Sequence, residues 1–309
     1  MRLYRKFSAY LKEKFGCRVH RLCLNAHFSC PNRDGTIGSG GCLFCDNRAF
    51  SLTQTMAGDL REQIIRGQEY AIKRYRASRF LAYFQPYTNT YAPVERLREK
   101  YDIIREFPDI VGLAVGTRPD CLDEEKLDLL ASYTDRYEVW LELGLPSIHD
   151  RTLRLVNRNH TYGQFLETFA LARKKPLKIA VHVMLGLPGE GEKEIMETAR
   201  ECGRLAVDGI KIHPLYIVRG TPLEVQADRL GVRLLELTGY ACLAGKFLEY
   251  LHPETVVMRL TGECRGELLV GPSWVNQKSQ VLRAIEAWLV AHQTFQGKMF
   301  SFNCEKGQR

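Results

Sequence analysis

The sequence predicts an α/β protein: an open, partial (β/α)6 barrel of the TIM type with a carboxy-terminal α/β extension. Three observations carry this expectation. Six short, β-rich apolar runs alternate with longer stretches of helical periodicity. The strand–helix–strand units have the length of right-handed parallel crossovers. After the sixth run the repeat weakens, leaving too few strands for a closed barrel.

The first run, RVHRLCL (18–24), follows a basic amphipathic segment, MRLYRKFSAYLKEKFG, that reads as an amino-terminal helix. FLAYF (80–84), VGLAV (111–115), VWLEL (139–143), IAVHVML (179–185) and GIKIHPL (209–215) supply the other strands. Between them 59–75, 93–106, 123–133, 161–173 and 192–205 read as helices, several opened by Asp, Thr or Pro at capping or first-turn positions. Beyond 215 the pattern gives a helix over 229–251, a strand over 255–260 and a helix over 279–292. No Pro/Ser/Gly-rich linker interrupts the chain. The expected organisation is a basic helix (1–15), a core barrel (16–255) and an extension packed on it (256–309).

A chain of 309 residues with 45% hydrophobic residues can bury a large core. No stretch approaches the length of a membrane span, and the amino terminus lacks the apolar region of a signal peptide, so a cytoplasmic protein without a membrane partner is expected. In that reducing setting Cys17, Cys23, Cys121, Cys202, Cys242, Cys264 and Cys304 read as ordinary buried thiols. The formal charge of +8 suits an anionic partner, nucleic acid being the obvious class. The basic runs RLYRK, IKRYRASR, LRLVNRNH and ARKKPLK read equally as solvated helix surfaces.

One group of cysteines is clustered. CPNRDGTIGSGGCLFC, beginning just after the first strand, places Cys30, Cys42 and Cys45 in sixteen residues. Functional segments of a parallel α/β barrel follow its strands. Close thiolates select zinc or an iron–sulfur centre. A zinc knuckle would need a fourth ligand, for which His27, Cys23 or Cys264 could serve. A 4Fe-4S cluster on three cysteines instead keeps one iron open for a ligand. Gly35, Gly38, Gly40 and Gly41 would let the backbone wrap closely around a bulky centre.

Five further signatures follow this segment in order: YFQPYTNTYAP, VGTRPDCL, LELGLPSIHDRTLRLVNRNH, HVMLGLPGE and IKIHPLYIVRGTPLE. Through all six, over about residues 10–260, the chain resembles the radical S-adenosylmethionine (SAM) superfamily, and within it the YhcC-like bacterial family related to the catalytic subunit of Elongator. The resemblance implies a barrel of the radical SAM type and a 4Fe-4S cluster on Cys30, Cys42 and Cys45. The open iron would chelate S-adenosyl-L-methionine. Reductive cleavage then gives methionine and a 5′-deoxyadenosyl radical that abstracts hydrogen from a substrate. An electron donor such as flavodoxin or ferredoxin is implied with it.

Residue by residue, the resemblance puts Phe44 near the adenine and Thr88, with Gln85 and Tyr87 beside it, at the methionine amine. Arg158 matches the arginine that takes the methionine carboxylate, a role its fork suits. Gly186, Leu187 and Pro188 would shape the adenine wall. The chain departs from its relatives at Gly116, where they carry a ribose-binding Glu; Arg118 and Asp120 remain the candidates there, Asp120 being also placed to cap the helix that opens near Asp123. It departs again at Pro146, which replaces a Gln and has neither a side-chain amide nor a backbone donor. Ser147 or Glu142 is left to compensate. His182, two places from Met184 on one face of the fifth strand, belongs to the cofactor side. His213, ending the sixth strand, belongs to the substrate side.

The substrate implied by the Elongator relationship is a transfer RNA nucleoside; a small metabolite or a protein side chain is the alternative. Arg74 with Arg76, and Lys174 with Lys175, are the basic pairs that RNA would meet, although a barrel places both at the rim opposite its reactive loops. The rival of another class is a zinc-stabilised nucleic-acid-binding module without catalysis. Such a module has no need of polar motifs after successive strands.

Overall fold

A computed structural model of the protein describes residues 2–50 and 58–300. Helix α1 (Phe7–Phe15) leads into β1 (Val19–Leu24), then α2 (Asn47–Phe50), α3 (Leu60–Tyr75) and β2 (Arg79–Phe84). The repeat continues through α4 (Val94–Tyr101), β3 (Ile110–Thr117), α5 (Glu124–Ala131), β4 (Glu138–Gly144), α6 (Asp150–Leu155), α7 (Tyr162–Ala172), β5 (Lys178–Leu185), α8 (Glu192–Arg204) and β6 (Gly209–Pro214). Short β7 (Ile217–Val218) and α9 (Pro222–Gln226) precede α10 (Leu237–Tyr250), β8 (Val256–Arg259), β9 (Leu269–Gly271) and α11 (Lys278–Ala291).

The six expected strands pair in chain order, all parallel, and β8 adds a seventh beside β6. The extension expected from 256 therefore opens with a strand of the main sheet. The sheet is an open half-barrel with β1 and β8 at its edges, and β7 pairs with β9 as a separate antiparallel ribbon. Side chains of Asp59, Asp123 and Thr161 accept from backbone N–H groups of α3, α5 and α7, as their sequence positions predict. The helix expected over 229–251 starts only at Leu237. Gly231 adopts φ 60, and the Val232 N–H turns back to the Ala227 carbonyl, so the chain is reversed before α10 begins.

Strand alternation sorts the sheet into two faces. Phe80, Phe84, Val115, Leu141, Val181 and Ile212 face the surrounding helices in the main core. The inner face would be an open groove, but α1 fills its amino-terminal end. Phe7 and Leu11 pack with Leu81, Ala114, Trp140 and Met258. The rings of Phe7 and Tyr10 meet Trp140 edge-on, with centroids 5.7 and 5.8 Å away. Gly209 leaves room for the indole, since a Cβ there would stand 2.8 Å from it. Glu138 engages both the Tyr10 hydroxyl and the Lys14 ammonium. Arg5 and Lys6 pair with Glu254 and Glu286. The basic amino-terminal segment is the floor of the half-barrel, and its own cations tie it to Glu254, just before β8, and to Glu286 of α11.

No helix among the described residues is long and apolar enough to cross a membrane. Cys17, Cys23, Cys121, Cys202, Cys242 and Cys264 are free thiols, but only Cys121, Cys202 and Cys264 are buried as expected, the other three being half-buried; Cys304 lies outside the described residues.

Candidate active site

At the carboxyl end of the sheet, Cys30, Cys42 and Cys45 line one cavity of about 250 Å³. Their loop is folded by short backbone contacts: Arg33 N–H to the Cys30 carbonyl (2.8 Å), Gly41 N–H to that of Asn32 (2.8 Å) and Cys45 N–H to that of Cys42 (2.9 Å). A second segment, Asn157–His160 after α6, clamps it. Asn157 Nδ2 donates to the Gly41 carbonyl at 2.7 Å and Asn159 Nδ2 to Asn32 Oδ1 at 2.6 Å, while Asn32 Nδ2 donates to the Asn157 carbonyl at 2.6 Å. Both clamping asparagines have φ 54, a region Asn tolerates better than most residues. Gly38 is needed where the segments meet, because a Cβ would lie 2.4 Å from Asn159 Nδ2.

Two N–H groups are directed at the Cys42 sulfur, Asn32 Nδ2 at 3.6 Å and Arg158 Nη1 at 3.7 Å. Arg158 also donates from Nη2 to the Gly144 carbonyl (2.9 Å) and from Nε to His160 Nε2 (2.8 Å). That tautomer leaves the His160 proton on Nδ1, facing the Thr161 carbonyl at 3.1 Å. Burial, with the Arg158 charge added, holds His160 neutral by lowering its pKa to about 3. Burial, reinforced by Cys42, pushes the Cys45 thiol up to about 12. A metal would have to displace that proton to bind the thiolate.

Phe44, Gln85, Tyr87, Thr88, Arg118, Arg158, His182 and His213 also line the cavity, so the structure brings most of the residues singled out by sequence together with the three thiols. Thr88 is held by its N–H to the Ser29 carbonyl, 3.2 Å away. Arg118 is 2% exposed, and its guanidinium is directed at Asp120 (2.9 and 2.7 Å) and at the carbonyls of Arg158 (2.9 Å) and Asn159 (3.3 Å). Its contacts fix the loop that carries Arg158. Ser147 and the Gly186–Pro188 turn stand beside the lining. The Ser147 hydroxyl donates to Glu190 and accepts from the His149 N–H (3.0 Å), and Leu187 packs with Leu43 and Phe44 behind the cysteine loop.

Sequence reasoning singled out Glu142 and His182 but missed Tyr83, Lys211 and Arg259, which join them in a polar layer between this mouth and the apolar floor. Tyr83, Glu142, His182, Lys211 and Arg259 each stand on the inner face, also line the cavity, and come from five strands. Glu142 is 0% exposed; one carboxylate oxygen, Oε2, takes the Lys211 ammonium and the His182 Nε2 proton (2.8 Å). Lys211 also donates to the Tyr83 hydroxyl at 2.9 Å. Burial alone would raise the Glu142 pKa, yet Lys211 and His182 hold it well below the usual range. Burial lowers His182 to about 4, leaving it neutral. The signal in the sequence was the spacing of two from Trp140 to Glu142, Ala180 to His182 and Gly209 to Lys211, legible only once strand register is known.

Among the described residues no three His, Cys, Asp or Glu gather around a point that a single metal ion could occupy. A polynuclear centre fits the donor set better: three thiols around one cavity, with N–H groups aimed at sulfur, the contacts that tune iron–sulfur centres.

Residues 33–202 match the sequence family described as the Radical SAM superfamily, and residues 207–291 match the Radical SAM C-terminal domain. Protein YhcC of Escherichia coli (strain K12) is 40% identical over 292 residues, 94% of this chain and 94% of that protein. Elongator complex protein 3 of Schizosaccharomyces pombe is 36% identical over 117 residues, 37% of this chain but 21% of that protein. The solved Elp3 of the archaeon Methanocaldococcus infernus, lacking its amino terminus, superposes with a TM-score of 0.64 at 17% identity, covering 87% of this chain and 63% of that one. At that identity the likeness is one of fold, and this chain spans under two thirds of that structure.

Proposed function

This chain belongs to the radical SAM superfamily, whose enzymes act through SAM-derived radicals on varied substrates, and from that premise we propose that Cys30, Cys42 and Cys45 hold a 4Fe-4S cluster with S-adenosyl-L-methionine beside it in the cavity. When bound, the two groups supply reductive cleavage of SAM to a radical competent for hydrogen abstraction. The observation that carries the proposal is the opening of all three thiols into one cavity that Arg158 also enters.

In this reading the chain's residues bind, orient and exclude. The Asn157–Asn159 clamp fixes the cysteine loop. Thr88 and Gln85 offer polar groups to the methionine end and Phe44 an apolar face to the adenine. Phe7, Leu11 and Trp140 close the cavity's far end against water, which would quench reactive species. A one-electron donor such as flavodoxin or ferredoxin completes the system. Transfer RNA, if it is the substrate, would have to engage residues other than those singled out. Arg74 and Arg76 end α3, Lys174 and Lys175 follow α7, and both pairs precede strands at the rim away from the thiols. Lys175 is already paired with Glu124 and Asp128.

Anaerobic reconstitution with iron and sulfide, then SAM and dithionite, tests the proposal. Iron and sulfide at the level of one cluster per chain, with 5′-deoxyadenosine formed, is the expected result; colourless protein holding stoichiometric zinc would refute it. Arg158→Ala is expected to keep the iron but to weaken SAM binding by about 1.5–3 kcal/mol, the worth of a hydrogen bond to a charged group. Equilibrium dialysis showing unchanged affinity would confine Arg158 to holding Gly144 and His160.

A further inference from the structure

The inner layer of the cavity carries more positive charge than its acids balance. Strand register places His182 beside Lys211 and Lys211 beside Arg259, so three basic residues stand in a row across β5, β6 and β8. His182 is neutral, so the cations of the row are Lys211 and Arg259, and like charges on adjacent strands repel unless something lies between them. Glu142 serves the first two of the row through Oε2. Arg259 has no such partner. Among the described residues its guanidinium makes only a loose ion pair, 3.6 Å from Glu263, whose side chain is 65% exposed against 24% for Arg259. Most of its five donors are unused, although it lines the cavity with His213 and Tyr216. The rings of His182 and His213 stand 5.9 Å apart, centroid to centroid. Arg21, on the other side of the groove, lies over the Tyr83 ring at 5.5 Å and adds a further cation.

A half-buried guanidinium whose donors are mostly unpaired among the described residues, next to the Lys211 amine, whose pKa burial lowers to about 7, and an imidazole, matches the planar fork of a bidentate oxyanion. We propose that Arg259, with Lys211 and His213 beside it, forms a subsite for an oxyanion of the substrate, a carboxylate or a phosphate. It rests on the reading of the cavity as the place where hydrogen is abstracted, and it is separate from Arg158, which stands at the sulfurs. Arg259 ends the strand contributed by the carboxy-terminal region, and Glu263, whose backbone carbonyl accepts the Tyr216 hydroxyl at 3.0 Å, caps the subsite from the same segment. Substrate choice in this chain is therefore assigned to residues beyond the cysteine loop.

Calorimetric titration of the purified protein with inorganic phosphate and, separately, with succinate tests the subsite. One probe is expected to saturate a single site; tighter phosphate binding assigns a phosphoryl group and tighter succinate binding a carboxylate. Arg259→Gln should weaken binding at least about tenfold, Arg259→Lys should retain part of it, and Glu263→Gln, which removes the competing carboxylate, should strengthen it. Circular dichroism checks that the variants fold. Binding of neither probe, or equal affinity in Arg259→Gln, overturns the subsite, as does a loss found in Arg158→Gln but absent from Arg259→Gln. Iron content and SAM cleavage, measured on unmodified protein from the same preparation, report on the cofactor reading independently.

Discussion

Replacing any one of Cys30, Cys42 or Cys45 by alanine is expected to abolish assembly of a full 4Fe-4S cluster and, with it, formation of 5′-deoxyadenosine. In the proposed cluster each thiolate would hold one iron, and among the described residues no spare thiol lines the cavity to take over. Cys23 faces the inner groove on β1 but shares the apolar cluster at the α1 floor. Cys202, 1% exposed within α8 in the outer core, is the control, and Cys202→Ala should load iron normally. The measurement is iron and acid-labile sulfide per chain after anaerobic reconstitution. Unchanged content in any of the three variants would remove that cysteine from the ligand set. Because the loop is held by Asn32, Asn157 and Asn159 through bonds to backbone and to one another, its fold should survive loss of one thiol. The defect should therefore appear in metal content without an equal loss of helix signal.

How much of this was legible beforehand depends on whether the signal was local. The gathering of three thiols at the end of the first strand was, because Cys and Gly at close spacing bring them together with the turns they need, while spacing alone left zinc and iron–sulfur open. The strands were, because runs such as VWLEL and IAVHVML have few alternatives between capped helices. The role of α1 was not: an amphipathic pattern declares that Phe7 and Leu11 are buried, but only the open geometry of the sheet decides that they fill its inner groove. Asn157 and Asn159 were equally opaque, since LRLVNRNH reads as a basic helix end until its asparagines are seen in left-handed conformation against Asn32 and Gly41. Lys211 was hidden inside GIKIHPL, a run whose apolar members face the helices while its lysine faces the groove. Its meaning comes from Glu142, 69 positions away in the chain.

That pair gives the second large expected effect. Lys211→Met should destabilise the protein by about 3–5 kcal/mol, because it leaves the Glu142 carboxylate buried with only a neutral histidine as donor. Glu142 is 0% exposed, and its second oxygen, Oε1, already lacks a partner among the described residues. Thermal denaturation followed by circular dichroism should show a midpoint lower by roughly 5–10 °C. The double variant Lys211→Met with Glu142→Leu should recover most of the loss, since replacing both members of a buried ion pair with apolar groups is often neutral or better. A single variant as stable as the parent would mean that Glu142 is not held as an anion by Lys211. Recovery of stability in the double variant without recovery of substrate turnover would locate the reason for keeping a costly ion pair in this layer: it fixes His182 and Tyr83 around the reacting group, at the level where Trp140 ends the apolar floor and Arg259 begins the charged row.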